Sequence, residues 1–406
     1  MLQRIVVVGA GIAGVTVCQA LRAGGFDGGL TLVGAEDHLP YDRPPLSKKA
    51  LRDPTRLQDT TLHPADWYAE QGIDLRLGRK VTALRPGDGG VEVDVGAVER
   101  GDVVVVATGG TPCQLDLPGV DHPAVLTLRT RDDAERLRSV LLLGGRLVVI
   151  GGGLIGAEAT ASAVAMGCSV TLIEPYPPPL ARAVGPLVAG LLHAEHAAHG
   201  VRVITARPVA FTAPGPAGPV RVHLSDGTDV DAETVLVGVG IDPDTRLGQE
   251  AGLAVDHGIL VGADQRSSSP QVYAVGDAAR HTGPDGPLPR IEHWDGAKRS
   301  AEAAARAILG APPVVVTPWF WSDRYDTHLE MAGEADPGAD VVTRGAAGSP
   351  GGLSVFFLRG QRCVGAVTLN RPLDCRAAQR LINRAVPVDT AQIADETVDL
   401  RDLLNR

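Results

Sequence analysis

Two short glycine runs are the segments of this sequence best suited to chemistry. The first, Gly9-Ala10-Gly11-Ile12-Ala13-Gly14, follows the apolar run Ile5 to Val8. Glycines at that spacing let a strand turn tightly into a helix and bring backbone N–H groups up to a pyrophosphate. They also let helix and strand pack without an intervening Cβ. Gly151-Gly152-Gly153-Leu154-Ile155-Gly156 repeats the pattern after Arg146 to Ile150. Past a second apolar strand, each run meets an acid able to accept ribose hydroxyls: Glu36 after Leu30 to Val33, and Glu174 after Ser169 to Ile173. Glu174 stands at about the twenty-residue offset usual for such an acid; the Gly24-Gly25 and Gly28-Gly29 loop accounts for the longer offset of Glu36. Two dinucleotides are expected. The Glu174 carboxylate repels a 2′-phosphate and no arginine follows it until Arg182, so the second site is expected to prefer NADH to NADPH.

The elements that must hold these sites recur in the same order. Gln3 to Val8, the glycine turn, the helical spacing from Val15 to Arg22 and the strand Leu30 to Val33 form one unit. Arg146 to Ile150, the second turn, Ala157 to Met166 and Ser169 to Ile173 form another. Between them, Ile73 to Leu77, Val81 to Leu84 and Val91 to Val95 read as short antiparallel strands inserted before the buried run Val103 to Ala107. Val201 to Thr205, Val220 to Leu224 and Thr234 to Val239 repeat that layout in the second half. Gly258 to Val261 and Gln271 to Val275 read as buried strands, and the Ala-rich helix Gly296 to Leu309 completes the first unit. From Pro318 onward, His328 to Ala332, Val341 to Arg344, Leu353 to Leu358 and Cys363 to Leu369 are strands without intervening helices, followed by an amphipathic helix Arg376 to Ala385. The expected class is α/β: two Rossmann-like dinucleotide-binding domains, residues 1–112 with 242–317 and residues 113–241, plus a small α+β domain over 318–406.

Composition narrows the function classes. The chain has 406 residues and a net charge of -10, which disfavours nucleic acid and anionic membranes as partners. No stretch approaches the roughly 20 apolar residues of a membrane span, and no secretory leader precedes Ile5, so a cytoplasmic protein is expected. Cys18, Cys113, Cys168, Cys363 and Cys375 are dispersed, which suits neither dithiol chemistry nor a metal site. His193, His196 and His199 fall at i, i+3, i+6 of one helix and read as a solvated face; no metal is expected.

Longer motifs carry a family resemblance. Pro40-Tyr41-Asp42-Arg43-Pro44-Pro45-Leu46-Ser47-Lys48, Ala107-Thr108-Gly109, Leu128-Arg129-Thr130, Tyr273-Ala274-Val275-Gly276-Asp277 and Trp319-Phe320-Trp321-Ser322-Asp323 resemble the two-dinucleotide flavoprotein reductases, and more narrowly the putidaredoxin reductase-like ferredoxin reductases of bacterial oxygenase systems. The resemblance spans the chain and implies a glutathione-reductase-like pair of domains, with FAD on the first, NAD on the second, and the last covering the flavin. It implies that Arg43, Lys48, Val81, Thr108, Gly109, Arg129 and Asp277 join Gly9, Gly11, Gly14 and Glu36 around FAD. Ile155, Glu158 and Gly240 join Gly151, Gly153, Gly156 and Glu174 around NAD. Asp277, in a Gly-Asp turn after a buried strand, suits ribitol hydroxyls, with a structural Asx-turn as the alternative. Lys48 and Glu158 resemble the family's ion pair beside the reactive flavin nitrogen, and are the expected catalytic residues. Trp294 and Trp321 lie in segments that flank the isoalloxazine in that family.

The implied reaction takes electrons from NADH through FAD to a 2Fe-2S ferredoxin that serves a monooxygenase or Rieske dioxygenase. Reduction of rubredoxin or another acceptor is the runner-up, and a redox-signalling flavoprotein resembling apoptosis-inducing factor is a second alternative, disfavoured by the negative charge. The sequence departs from the family where the run Trp-Ser-Asp is followed by Arg324 instead of glutamine. An acidic ferredoxin approaching this chain needs a local basic rim. Arg324 and the pair Lys298-Arg299 are the candidates for it if exposed; otherwise Arg324 pairs with Asp323 or Asp326.

Overall fold

The computed structural model describes residues 2–405 other than 88, 216, 217, 313, 315 and 316. Two compact units emerge, one comprising Met1–Asp42, Gln58–Thr111 and Ile241–Val316, the other Arg43–Leu57, Pro112–Gly240 and Thr317–Arg406.

The first unit is built on a five-stranded parallel sheet in the order Val272–Ala274, Val103–Val106, Arg4–Val8, Gly29–Val33, Ile73–Arg76. Its central strands are runs of β-branched residues, as expected of strands covered on both faces. Ile5 and Val7 pack with Val17 and Leu21 of the helix Ile12–Ala23 and with Ala301 and Ala304 of the helix Trp294–Ile308. Val6 and Val8 pack on the opposite face with Leu84, Val91 and Val93. Ile73–Arg76 corrects the sequence reading: it pairs in parallel with Gly29–Val33, after a crossover through the helix Ala65–Glu70. The antiparallel insertion is instead Ala83–Gly87, Gly90–Asp94 and Val98–Gly101.

The second unit repeats the plan. Its parallel sheet runs Arg202–Ile204, Ser169–Ile173, Arg146–Ile150, Thr234–Val237, Val125–Leu126, and its three-stranded meander is Pro208–Thr212, Val220–Leu224, Asp229–Ala232. The same unit contains an antiparallel sheet ordered Trp319–Arg324, Thr327–Gly333, Arg362–Leu369, Leu353–Arg359, Asp340–Gly345. One face of that sheet packs Phe320, Leu329 and Val355 against Val184, Val188 and Leu192 of the helix Ala181–Ala198. The other packs Phe356 and Ala366 against the helix Pro372–Asn383. Trp319–Arg324 is a strand that the sequence reading did not include.

Candidate functional sites

In the first unit the glycine run does what its spacing requires. Gly9 holds φ +113, and a Cβ there would stand 2.2 Å from the Ala107 carbonyl oxygen; one on Gly14 would stand 1.9 Å from the Gly9 oxygen. Gly11 serves a different purpose. It precedes the helix Ile12–Ala23, no side chain caps that helix and no acid lies in its first turn, while the space a Cβ would enter at Gly11 is open. Unsatisfied N–H groups facing open space at a positive helix end fit a pyrophosphate. Glu36 accepts a hydrogen bond from the Tyr41 hydroxyl at 2.6 Å.

Asp277 lies in the turn Gly276–Ala278. Gly276 has φ +66, its N–H donates to Ser300 Oγ at 2.9 Å, and a Cβ on it would touch Ala13 at 3.2 Å. The turn is thus wedged between the fingerprint helix and the helix Trp294–Ile308, which brings Asp277 to the same end of the sheet as Gly11. At the start of the latter helix, the Trp294 indole N–H donates to Asp42 at 2.6 Å, and Lys298 Nζ lies 4.6 Å from the ring centre. Burial pushes the Asp42 carboxyl up, against the Trp294 hydrogen bond and the Lys298 charge. Two other expected residues have structural work here: the Thr108 hydroxyl donates to the Asp244 carbonyl at 2.8 Å, and Val81 is buried in the core while its carbonyl accepts from Arg246. The carbonyl of Gly109 accepts from the Asp244 N–H at 2.9 Å.

The second unit carries the equivalent turn. Gly151 has φ +98 with the Gly238 oxygen 2.4 Å from its would-be Cβ; Gly156 packs likewise on Gly151; Gly153 precedes the uncapped helix Leu154–Ala165 and faces open space. Ile155 is exposed, and Gly240 holds φ +123 while its carbonyl accepts from the Cys113 N–H at 3.0 Å. Glu174 accepts from the Gly152 N–H at 2.8 Å and the Tyr176 N–H at 2.9 Å, which fixes its carboxylate against the turn. This donor and acceptor set fits an adenosine diphosphate moiety, with phosphate at the helix end and ribose at the acid.

Lys48 and Glu158 also meet in this unit. Lys48 Nζ stands 3.0 Å from the Glu158 carboxylate, with side-chain exposures of 11% and 4%. Glu158 further accepts from Ser322 at 2.7 Å and from Ser47, and Lys48 Nζ lies 5.6 Å from the Trp321 ring centre. Trp321 is stacked on Trp319, centres 5.1 Å apart. A buried carboxylate with four acceptor sites is thereby met by one ammonium and two hydroxyls. Ser47 and Ser322 are participants that the sequence reading missed, although both fall inside motifs it singled out. Arg43 begins the turn Pro44–Ser47, and the Arg129 N–H donates to Asp133; both side chains are half-buried.

The basic rim is corrected. Arg324 is 3% exposed, so it presents no charge to a partner. It follows Phe320 and Ser322 on the inward face of its strand, where Glu195 and Glu158 supply the opposing charge and burial lowers its pKa. Neither Asp323 nor Asp326 is its partner; Asp323 bonds His328 at 2.6 Å. Arg299 is half-buried and paired with Asp295 one turn earlier on its helix. The histidine face is corrected too: His196 is fully buried and shares a 2.9 Å hydrogen bond with the Tyr325 hydroxyl, while His199 stacks on the Tyr325 ring. Among the described residues no helix is long and apolar enough to cross a membrane.

Comparison with known proteins agrees in extent as well as kind. Residues 3–301 match the family described as pyridine nucleotide-disulphide oxidoreductase, and residues 319–404 that described as reductase C-terminal. The chain is 37% identical to the ferredoxin reductase component of chlorobenzene dioxygenase from Cupriavidus sp. (strain PS12), covering 100% of this chain and 98% of the relative. It is 39% identical to the ferredoxin–NAD(+) reductase component of the anthranilate 1,2-dioxygenase system from Burkholderia cepacia, covering 98% of each. Among solved structures, putidaredoxin reductase in its covalent complex with putidaredoxin matches with a TM-score of 0.92 at 34% identity, covering 99% of this chain and 98% of that one.

Proposed function

From the premise that this chain belongs to the pyridine nucleotide-disulphide oxidoreductase family, as a member with the reductase C-terminal domain, we propose that it is the NADH:ferredoxin reductase of an oxygenase system. It passes electrons from NADH through FAD to a 2Fe-2S ferredoxin that serves a monooxygenase or Rieske dioxygenase. The observation that carries this reading is full-length similarity to ferredoxin reductase components, C-terminal domain included. The cysteines support it: none of the five is in a disulfide, and Cys18, Cys363 and Cys375 are buried, so a disulfide acceptor has no dithiol to meet. With NADH as donor, the cytoplasm is its place.

FAD, when bound, accepts a hydride from NADH and releases the electrons one at a time. The chain's own residues prepare for that. The first unit's glycine turn, Glu36 and Asp277 hold FAD; the second unit's glycine turn and Glu174 hold NADH. Residues 1–112 with 242–317, 113–241 and 318–406 then serve as FAD, NAD and flavin-covering domains. Lys48 supplies a positive charge, and Glu158, steadied by Ser47 and Ser322, holds that lysine in place in a poorly hydrated setting. Trp321, backed by Trp319, presents an aromatic face that excludes water.

The test is anaerobic stopped-flow with the FAD-loaded protein. NADH is expected to bleach the flavin much faster than NADPH, and a 2Fe-2S ferredoxin to reoxidise it. Failure to bleach with NADH, or reoxidation by rubredoxin in preference to any 2Fe-2S ferredoxin, would overturn the reading.

A further inference from the structure

The fold brings to the second nucleotide site a cation that the sequence order hides. Strands Ser169–Ile173 and Arg202–Ile204 are parallel neighbours with Ile173 opposite Ile204, and the Glu174 N–H donates to the Ile204 carbonyl at 2.9 Å. The chain therefore leaves both strands at the same edge. Tyr176, three residues past Ile173, meets Arg207, three residues past Ile204: the guanidinium carbon lies 4.9 Å from the ring centre. Tyr176 is 66% exposed, and its backbone N–H is bonded to the Glu174 carboxylate. Among the described residues no carboxylate pairs with Arg207.

We propose that Arg207, docked on Tyr176, is a second determinant of nucleotide choice at this site, and that its guanidinium is a latent partner for a 2′-phosphate. This rests on the assignment of the second glycine run to NADH. An unpaired guanidinium is the group best matched to a phosphate, since its planar fork bonds two oxygens at once. An arginine side chain is long enough to swing from the Tyr176 ring toward the ribose edge that Glu174 guards. A 2′-phosphate meets the fixed Glu174 carboxylate before it can reach Arg207, and the NADH preference holds. Removing that one charge exposes the latent preference; in this reading, selectivity is a balance between two side chains that the sequence places far apart.

The experiment measures binding of two nucleotide fragments to the FAD-loaded protein by calorimetry. 5′-AMP reports the adenosine phosphate shared by both nucleotides, and adenosine 2′,5′-bisphosphate adds the distinguishing group. The wild type is expected to bind 5′-AMP more tightly. E174Q, which keeps an oxygen for the backbone amides, is expected to bind the bisphosphate at least tenfold more tightly than wild type, and E174S to do the same by a smaller side chain. E174Q/R207Q is expected to lose that gain, and E174Q/R207K to keep most of it. No gain in either Glu174 variant, survival of the gain in E174Q/R207Q, or its loss in E174Q/R182Q instead would overturn the role of Arg207. A wild type that binds neither 5′-AMP nor NADH would overturn the nucleotide assignment itself, a result distinct from the other three.

Discussion

At Glu158 two oxygens receive one ammonium and two hydroxyls from two separate stretches of chain. Cutting away that carboxylate leaves Lys48 charged and nearly buried, with Ser47 and Ser322 short of an acceptor. E158L is therefore expected to cost about 3–5 kcal/mol of unfolding free energy, and K48M/E158L to recover much of it, because the penalty is the stranded charge and not the missing pair. Urea unfolding of the two single variants and the double variant provides the cycle; additive losses would show that the groups act independently. The resemblance to a known ion pair made these two residues legible, but not the hydroxyls. A serine bonding to a distant helix leaves no periodic trace, whereas the glycines announce their positions because only a residue without a Cβ can hold φ near +100 against a carbonyl.

At the scale of elements, the helix Ala181–Ala198 and the strand Trp319–Arg324 share an interior that mixes apolar and polar groups. Leu192 and Phe320 fill one part of it; His196, one turn after Leu192, and Arg324, four residues after Phe320, lie further along the same faces. Burial, aided by the charge of Arg324, pushes the His196 pKa down to about 3. The sign of the consequence is fixed: between about 6.5 and 3 the unfolded chain takes up a proton that the folded one refuses. Stability from this group is full above 6.5 and falls as pH drops, by up to about 1.4 kcal/mol per unit. His328 has the opposite slope, since its hydrogen bond to Asp323 and the nearby Glu330 carboxylate raise it to about 9; its contribution is full below 6.5 and is lost as pH rises through 9. Urea midpoints from pH 4 to 10 are expected to fall on both sides, and H196F to flatten the acid limb alone. An unchanged acid limb in H196F would place the sensitivity elsewhere. Both buried positions were open to sequence reasoning: His196 continues the helical stripe of Val188 and Leu192, and Arg324 continues the two-residue alternation of Phe320 and Ser322. The type of residue, one histidine among three and one arginine beside aspartates, outweighed the period. The strand Ile73–Arg76 was read with the wrong pairing for another reason, because four alternating residues fit an edge parallel strand and an antiparallel one equally well.

The whole molecule is a plan used twice, and that repetition was readable in the paired glycine runs; the grouping of Arg43–Leu57 with the second unit was not, since it depends on Lys48 and Ser47 reaching Glu158. The first unit's strand order has a further consequence for how the chain is made. Val103–Val106 lies between Arg4–Val8 and Val272–Ala274, so one side of a four-valine strand has no neighbour until the residues that follow the entire Pro112–Gly240 segment have been synthesised. At about 5–20 residues per second, translation leaves that edge open for roughly ten to thirty seconds. An uncovered, apolar strand edge is a template for pairing with other chains. Ribosome-stalled chains ending at Gly262 are expected to bind chaperone and to be cut readily by protease within residues 103–106, whereas chains long enough to free Ala274 from the exit tunnel are expected to resist; equal protection of both would mean that the edge is shielded by other means. Cells making this protein in quantity thus face a timing problem set by topology, in which the last strand of the first-begun sheet decides how much of each nascent chain survives to fold.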